Sequence, residues 1–207
     1  MGRRSRGEIK QKIVRQTSFQ HLGIVVILSD KIMEYIDVLD ENGNNTGEVR
    51  SRDEVHEKGL WHRSVHVWFV NENNEVLLQL RSKSKEINPG SWDISAAGHA
   101  VAGDESIEAA EREIFEEIGV VISGNQLVFL GQIKKTSIHK DGLYINNQFD
   151  DIYLVKTNLK LSDFKFNDGE VEKVEYIPLE TLKEWVKNGK TDLVPHPDEY
   201  ELLFKSI

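Results

Sequence analysis

From residue 34 onward the chain alternates strand-length apolar runs with helix-length amphipathic ones. "EYIDVLDENGNNTGEV" reads as two short strands around a turn rich in Asn and Gly. "SVHVWFVNENNEVLLQLRS" reads as a hairpin, with β-branched and aromatic residues on both arms and a polar turn at Asn71–Asn74. "INPGSWDISAAGH" is a loop leading into a short strand. A helix is expected from about Asp104 to Ile118, followed by three strand-like runs, "LVFLGQIKK", "FDDIYLVKT" and "EKVEYIP". "LETLKEWVKNG" is an amphipathic helix stopped by Gly189, and "PDEYELLFKSI" is a terminal helix with Pro197 at its start. The pattern predicts one mixed α/β domain over residues 34–207, without repeats or heptads.

Residues 1–33 do not share this pattern. They carry a net charge of +5, against −9 for the whole chain, and their apolar stretch "LGIVVIL" is far too short to span a bilayer. No small-residue cleavage site follows it, so a secretory signal is not expected. The segment reads as a basic N-terminal extension outside the catalytic fold, or as the product of an early start codon with Met33 as the alternative start. Deleting residues 1–32 is expected to leave activity and melting temperature nearly unchanged, which a truncated protein would test directly. Cytoplasmic location is the default reading.

Composition narrows the chemistry. At 39% hydrophobic and 29% charged residues the chain has the make-up of a soluble globular protein. The acidic balance argues against nucleic acid and anionic membrane surfaces as partners. With no cysteine, disulfides, thiolate metal sites and cysteine nucleophiles are all excluded.

The stretch "GHAVAGDESIEAAEREIFEEIGV" holds the candidate chemistry. Ile107, Ala110, Ile114 and Ile118 recur at i, i+3, i+7 and i+11, a stripe that faces a core. Glu113, Glu116 and Glu117 lie on one flank of that stripe, in the last turns before Gly119. Anions there face the negative end of the helix dipole and one another, each unfavourable by a few tenths to about 1 kcal/mol. A hard divalent cation such as Mg²⁺ would relieve the cluster. A solvated acidic face is the alternative.

The spacing is Gly98, five residues, Asp104, seven residues, then Arg112-Glu113-Ile114-Phe115-Glu116-Glu117-Ile118-Gly119-Val120. It resembles the signature of the Nudix hydrolases, with Asp104 where that family has Glu. Together with "GLWHRSVHVWFV", "PGSWDISAAGH" and "EVEKVEYIPLETL", the chain is similar to the Nudix subgroup related to type I isopentenyl diphosphate isomerase. The resemblance implies an α/β/α sandwich around a mixed β-sheet. It also implies Mg²⁺-dependent hydrolysis, with Mn²⁺ able to substitute, of a nucleoside diphosphate linked to a further group. Glu113, Glu116, Glu117 and the carbonyl of Gly98 would be metal ligands, and Arg112 would orient the glutamates through Asp104. His62, His99 and Trp61 are assigned to substrate contact. Homodimer formation and a ligand-sensing role without turnover both stay open.

The resemblance also bears on isomerisation. The isomerase cysteine before the Gly-His of the box corresponds to Ala97, and its later strand glutamate corresponds to Gln148. His62 and His99 align with isomerase metal-binding histidines, but the accompanying acids are missing. Asp150 is expected on the same strand face as Gln148. Asp150 and Asp151 read either as functional acids or as residues that keep an edge strand soluble.

Overall fold

The computed structural model describes residues 34–166 and 169–207; the expectations for residues 1–33 lie outside them. The strands are β1 (Tyr35–Leu39), β2 (Asn45–Ser51), β3 (Trp61–Asn71), β4 (Glu75–Arg81), β5 (Trp92–Asp93), β6 (Ala96–His99), β7 (Leu127–His139), β8 (Tyr144–Thr157) and β9 (Val171–Pro178). The helices are α1 (Arg52–Lys58), α2 (Ser106–Ile118), α3 (Leu179–Lys187) and α4 (Pro197–Ser206).

The central strand β3 organises the sheet. Along its whole length it runs parallel to β8, whose other edge pairs antiparallel with β7. Its second edge is shared by β1 at the start, β6 in the middle and β4 at the end, all antiparallel. The expected hairpin forms, and Asn71 fastens its turn by accepting from the N–H groups of Asn73 and Glu75. The two arms then part after Phe69↔Leu77, and β4 pairs instead with β9. Ser95 sits in the fork. Its hydroxyl accepts from the Phe69 N–H and donates to the Leu77 carbonyl, so the parted strands keep their hydrogen bonds satisfied.

β3 is buried on both faces, as a strand between two helical layers must be. Val65, Val67 and Phe69 form one core with Ala109, Ala110, Ile114 and Ile118 of α2. Trp68 and Val70 form the other with Ile152 and Leu154 of β8, Leu182 of α3 and Tyr200 and Leu203 of α4. The result is an α/β/α sandwich around a mixed sheet. Among the described residues no helix is long and apolar enough to cross a membrane.

Several local expectations change. Helix α2 begins at Ser106, two residues later than expected, with Glu105 in extended conformation at its N-cap. Ile107 is 37% exposed at one margin of the stripe, and Ala109, at 0%, extends the buried face on the other side. Helix α1 was not anticipated. Its seven residues bury only Val55 and His56, too few to register as a period, although Ser51 caps it and Gly59 ends it in the left-handed region. β8 is an interior strand, so Asp150 and Asp151 do not make an edge soluble: both are buried, at 0% and 2%.

Gly119 closes α2 at φ 70°, and a Cβ there would lie 2.2 Å from the Lys165 carbonyl oxygen. Gly119→Ala is therefore expected to lose more than the ~1–2 kcal/mol that a left-handed conformation alone costs a residue with a Cβ. Urea unfolding of the two proteins measures it.

Candidate active site

Helix α2 brings the box residues to the free edge of β6. Gly98 of β6 passes directly over Glu113: a Cβ at Gly98 would stand 2.0 Å from the Glu113 carboxyl carbon. Only glycine fits the contact that the helix and strand make here. Glu117 reaches the neighbouring residue, its Oε2 accepting from the Ala97 N–H at 2.9 Å and from Gln79 Nε2 at 3.1 Å. Gln79 was not among the sequence candidates, though it is the polar interruption in "EVLLQLR" and it is buried.

Arg112 organises the rest. Its guanidinium donates to Glu113 at 2.7 Å, to Glu116 at 3.0 Å and to the His99 carbonyl at 2.7 Å. Its contact with Asp104 is the longest of the set, 3.5 Å, consistent with the shorter acid at that position. Glu116 is exposed, whereas Glu113 and Glu117 are buried. Burial pushes Glu113 up to about 7 despite Arg112, and pushes Glu117 up to about 8 despite the Ala97 N–H. The acidic flank is thus divided: one solvated carboxylate and two buried ones with too little positive charge nearby.

A second group meets the box at His99. While the His99 carbonyl accepts from Arg112, its ring lies 5.1 Å from His56 and 5.2 Å from His62, centroid to centroid. His56 and His62 direct Nδ1 at the carbonyls of Arg52 (2.7 Å) and Leu60 (3.0 Å), which places their protons on Nδ1. The Nε2 atoms of all three rings are buried and without a hydrogen-bond partner. Burial holds His62 down at about 4, His99 well below the usual histidine range and His56 below it as well. These are neutral imidazoles presenting lone pairs, with one ligand atom from each within 4.8 Å of the others. Such a set suits a divalent transition metal or the donor groups of a substrate.

Beside the histidines, Gln148 pairs in register with His62 and accepts from Asn146 Nδ2 at 2.6 Å. Asp150 shares the face of Gln148 and accepts a short hydrogen bond from the Ser64 hydroxyl. Asp151 faces the other way, to Arg63 and Gln132. Trp61 departs from the expected grouping. It precedes His62 on β3, so it turns to the opposite face, where it packs on Phe149 and lies under the Lys134 ammonium.

The donor chemistry of the box fits a divalent cation, because buried Glu117 has only neutral partners and buried Glu113 shares the single Arg112 charge with Glu116. The box carboxylates are not gathered around one point, however. Glu113 and Glu116 turn to Arg112 and Glu117 to Ala97.

The NUDIX domain family model matches residues 60–196. Nudix hydrolase 3 of Arabidopsis thaliana is 40% identical over 179 residues, 84% of this chain, and the chain spans only 23% of that relative's length. An uncharacterized Nudix hydrolase of Listeria monocytogenes is 35% identical over 158 residues, covering 76% of this chain and 88% of the relative. Isopentenyl-diphosphate Delta-isomerase 1 of Mesocricetus auratus is more distant, 29% identical over 76% of each chain. The crystal structure of DR0079 from Deinococcus radiodurans superposes with a TM-score of 0.62 at 20% identity, over 83% of this chain and 98% of that one, a likeness of fold. Family members generally use divalent metals. The fold, the box on α2 and these relatives together place the chain in the Nudix hydrolase family, in the part of it that has isopentenyl diphosphate isomerases among its relatives.

Proposed function

We propose that the protein is a Mg²⁺-dependent diphosphohydrolase, with Mn²⁺ able to substitute, acting on a small nucleotide-like substrate. The observation that carries this reading is the buried pair Glu113 and Glu117 beside Gly98, raised by burial to about 7 and 8, which a bound cation would offset. When bound, the divalent ion neutralises the diphosphate, polarises phosphorus and lowers the pKa of the attacking water. Glu113, Glu116 and Glu117 supply the anionic oxygens that hold it, with the Gly98 carbonyl as a further donor. Arg112 sets the directions of Glu113 and Glu116 and ties them to the strand through His99. The neutral rings of His62 and His99 contact the substrate. Positioning and charge stabilisation supply most of the rate in such chemistry.

Phosphate release from a panel of nucleotide diphosphates with Mg²⁺ tests the reading. Silence across the panel with ligand-induced thermal stabilisation would support a sensing role instead, which one observation favours: the strand beside His62 carries the amides Asn146 and Gln148 and no carboxylate at those positions. Isomerase chemistry needs an acid and a base on opposite faces of an alkene, and Ala97 and Gln148 provide neither.

Gln148→Glu probes that strand. A carboxylate there is expected to tighten divalent-metal binding several-fold in a metal titration. Unchanged affinity and unchanged hydrolysis would place Gln148 away from the ion.

A further inference from the structure

A second buried cluster lies where α4 begins. His66 of β3 directs Nδ1 at Glu199 Oε1, 2.9 Å away, and His196 directs its own Nδ1 at the same oxygen, also at 2.9 Å. The three residues are 8%, 6% and 2% exposed. The His66 contact is aligned as a hydrogen bond, but the His196 contact is not, leaving His196 Nδ1 without a partner. Glu199 Oε2 also has none. Two orphaned polar atoms in one buried spot call for an explanation, since nearly all such atoms in folded proteins are paired.

The surroundings have the layout of a metal centre. His196 Nε2 faces Asp93 Oδ1 at 2.8 Å, and Arg81 holds the other Asp93 oxygen at 3.0 Å. A carboxylate on the far nitrogen of an imidazole is the usual device for fixing a metal-ligating histidine. The 2.9 Å separations are close to the ~3.3 Å edge of a tetrahedral site with bonds of 2.0–2.1 Å. Charge points the same way. Asp93, Glu199 and Asp150, which acts on His66, face Arg81 as the cation of the group, so with neutral imidazoles the cluster lacks two positive charges. Two protons would supply them, and so would one divalent ion.

We propose that His66, His196 and Glu199 bind a structural Zn²⁺ ion, on the β3 face opposite α2 and separate from the catalytic box. Two imidazole nitrogens and a carboxylate are a zinc donor set, and a water molecule would complete the tetrahedron. The ion joins the N-terminus of α4 to the middle of the sheet and does not depend on the reaction proposed above. Without it, the Glu199 carboxylate outweighs burial, raising His66 and lifting His196 to about 10.

The test uses Zn²⁺ alone. Protein stripped with a chelator, reloaded and desalted is assayed for zinc content and melting temperature as wild type, His196→Gln, His66→Gln and His99→Gln. One tightly held equivalent is expected to persist in His99→Gln, which disables the other histidine group, and to vanish in His196→Gln and His66→Gln. Zn²⁺ should raise the melting temperature only of the proteins that retain that equivalent. Folded His196→Gln and His66→Gln proteins, verified by circular dichroism, that load as much zinc as wild type would overturn the proposal. Zinc X-ray absorption on the wild type covers the case in which these variants fail to fold. A shell of two imidazoles and a carboxylate is expected for this cluster. No bound zinc, or a shell of three imidazoles such as His56, His62 and His99 would give, would overturn the proposal.

Discussion

Glu117→Gln is expected to lower metal-dependent hydrolysis by on the order of 10²–10³-fold or more while leaving the metal-free protein as stable as wild type or more so. Glutamine keeps an oxygen for the Ala97 N–H but removes a buried charge. The pH dependence separates this from a structural role. A carboxyl raised to about 8 in the folded state, from 4.5 unfolded, binds more protons folded than unfolded, so stability falls as pH rises between those values. Glu113, raised to about 7, acts in the same direction. Below pH 6.5 the depressed histidines His56, His62 and His99 oppose it, because the unfolded chain protonates them first. The window is therefore pH 6.5–8, where each such carboxyl contributes a loss of at most about 1.4 kcal/mol per pH unit and the raised His66 and His196 add a decline common to wild type and variant. Metal-free wild type should show a steeper decline there than Glu117→Gln, and Mg²⁺ should flatten it. Strong destabilisation of the metal-free variant would instead make the cluster a structural element.

Gly98→Ala is expected to abolish activity with a smaller effect on folding. The added methyl would stand 2.0 Å from the Glu113 carboxyl carbon, a distance no side-chain contact tolerates. The carboxylate is at the end of a flexible chain and moves before the strand does, so Glu113 leaves Arg112 and, on the function proposed above, the cation as well. Turnover should fall at least as far as in Glu113→Gln, and raising Mg²⁺ should not restore it. A Gly98→Ala protein with wild-type turnover would place Glu113 outside the reaction.

Elements whose signal is local and repeated could be placed without the structure. The buried runs of β3 and β8, the stripe Ala110, Ile114 and Ile118, and the spacing from Gly98 to Gly119 are all legible because each reflects one strand or one helix meeting a core. The family, the sandwich and the box followed from those. Tertiary structure decided what depends on two distant segments meeting. Helix α1 was illegible at seven residues, yet it delivers His56 to His62 and His99. Glu113 and Glu117 became buried, and Glu116 exposed, only once β6 lay across α2, because the helical wheel places all three on one flank without saying where the strand's edge falls. Trp61 and His62 are adjacent in sequence and were expected at one site, but strand alternation sends them to opposite faces. Asp150 and Asp151 read either as functional acids or as residues of an edge strand, and the second reading fell only when β7 covered β8. His66 and Glu199 are 133 residues apart, and no periodicity links them. Periodicity reports which face of an element is buried; which charges end up facing each other is set by the packing of elements that local sequence does not encode.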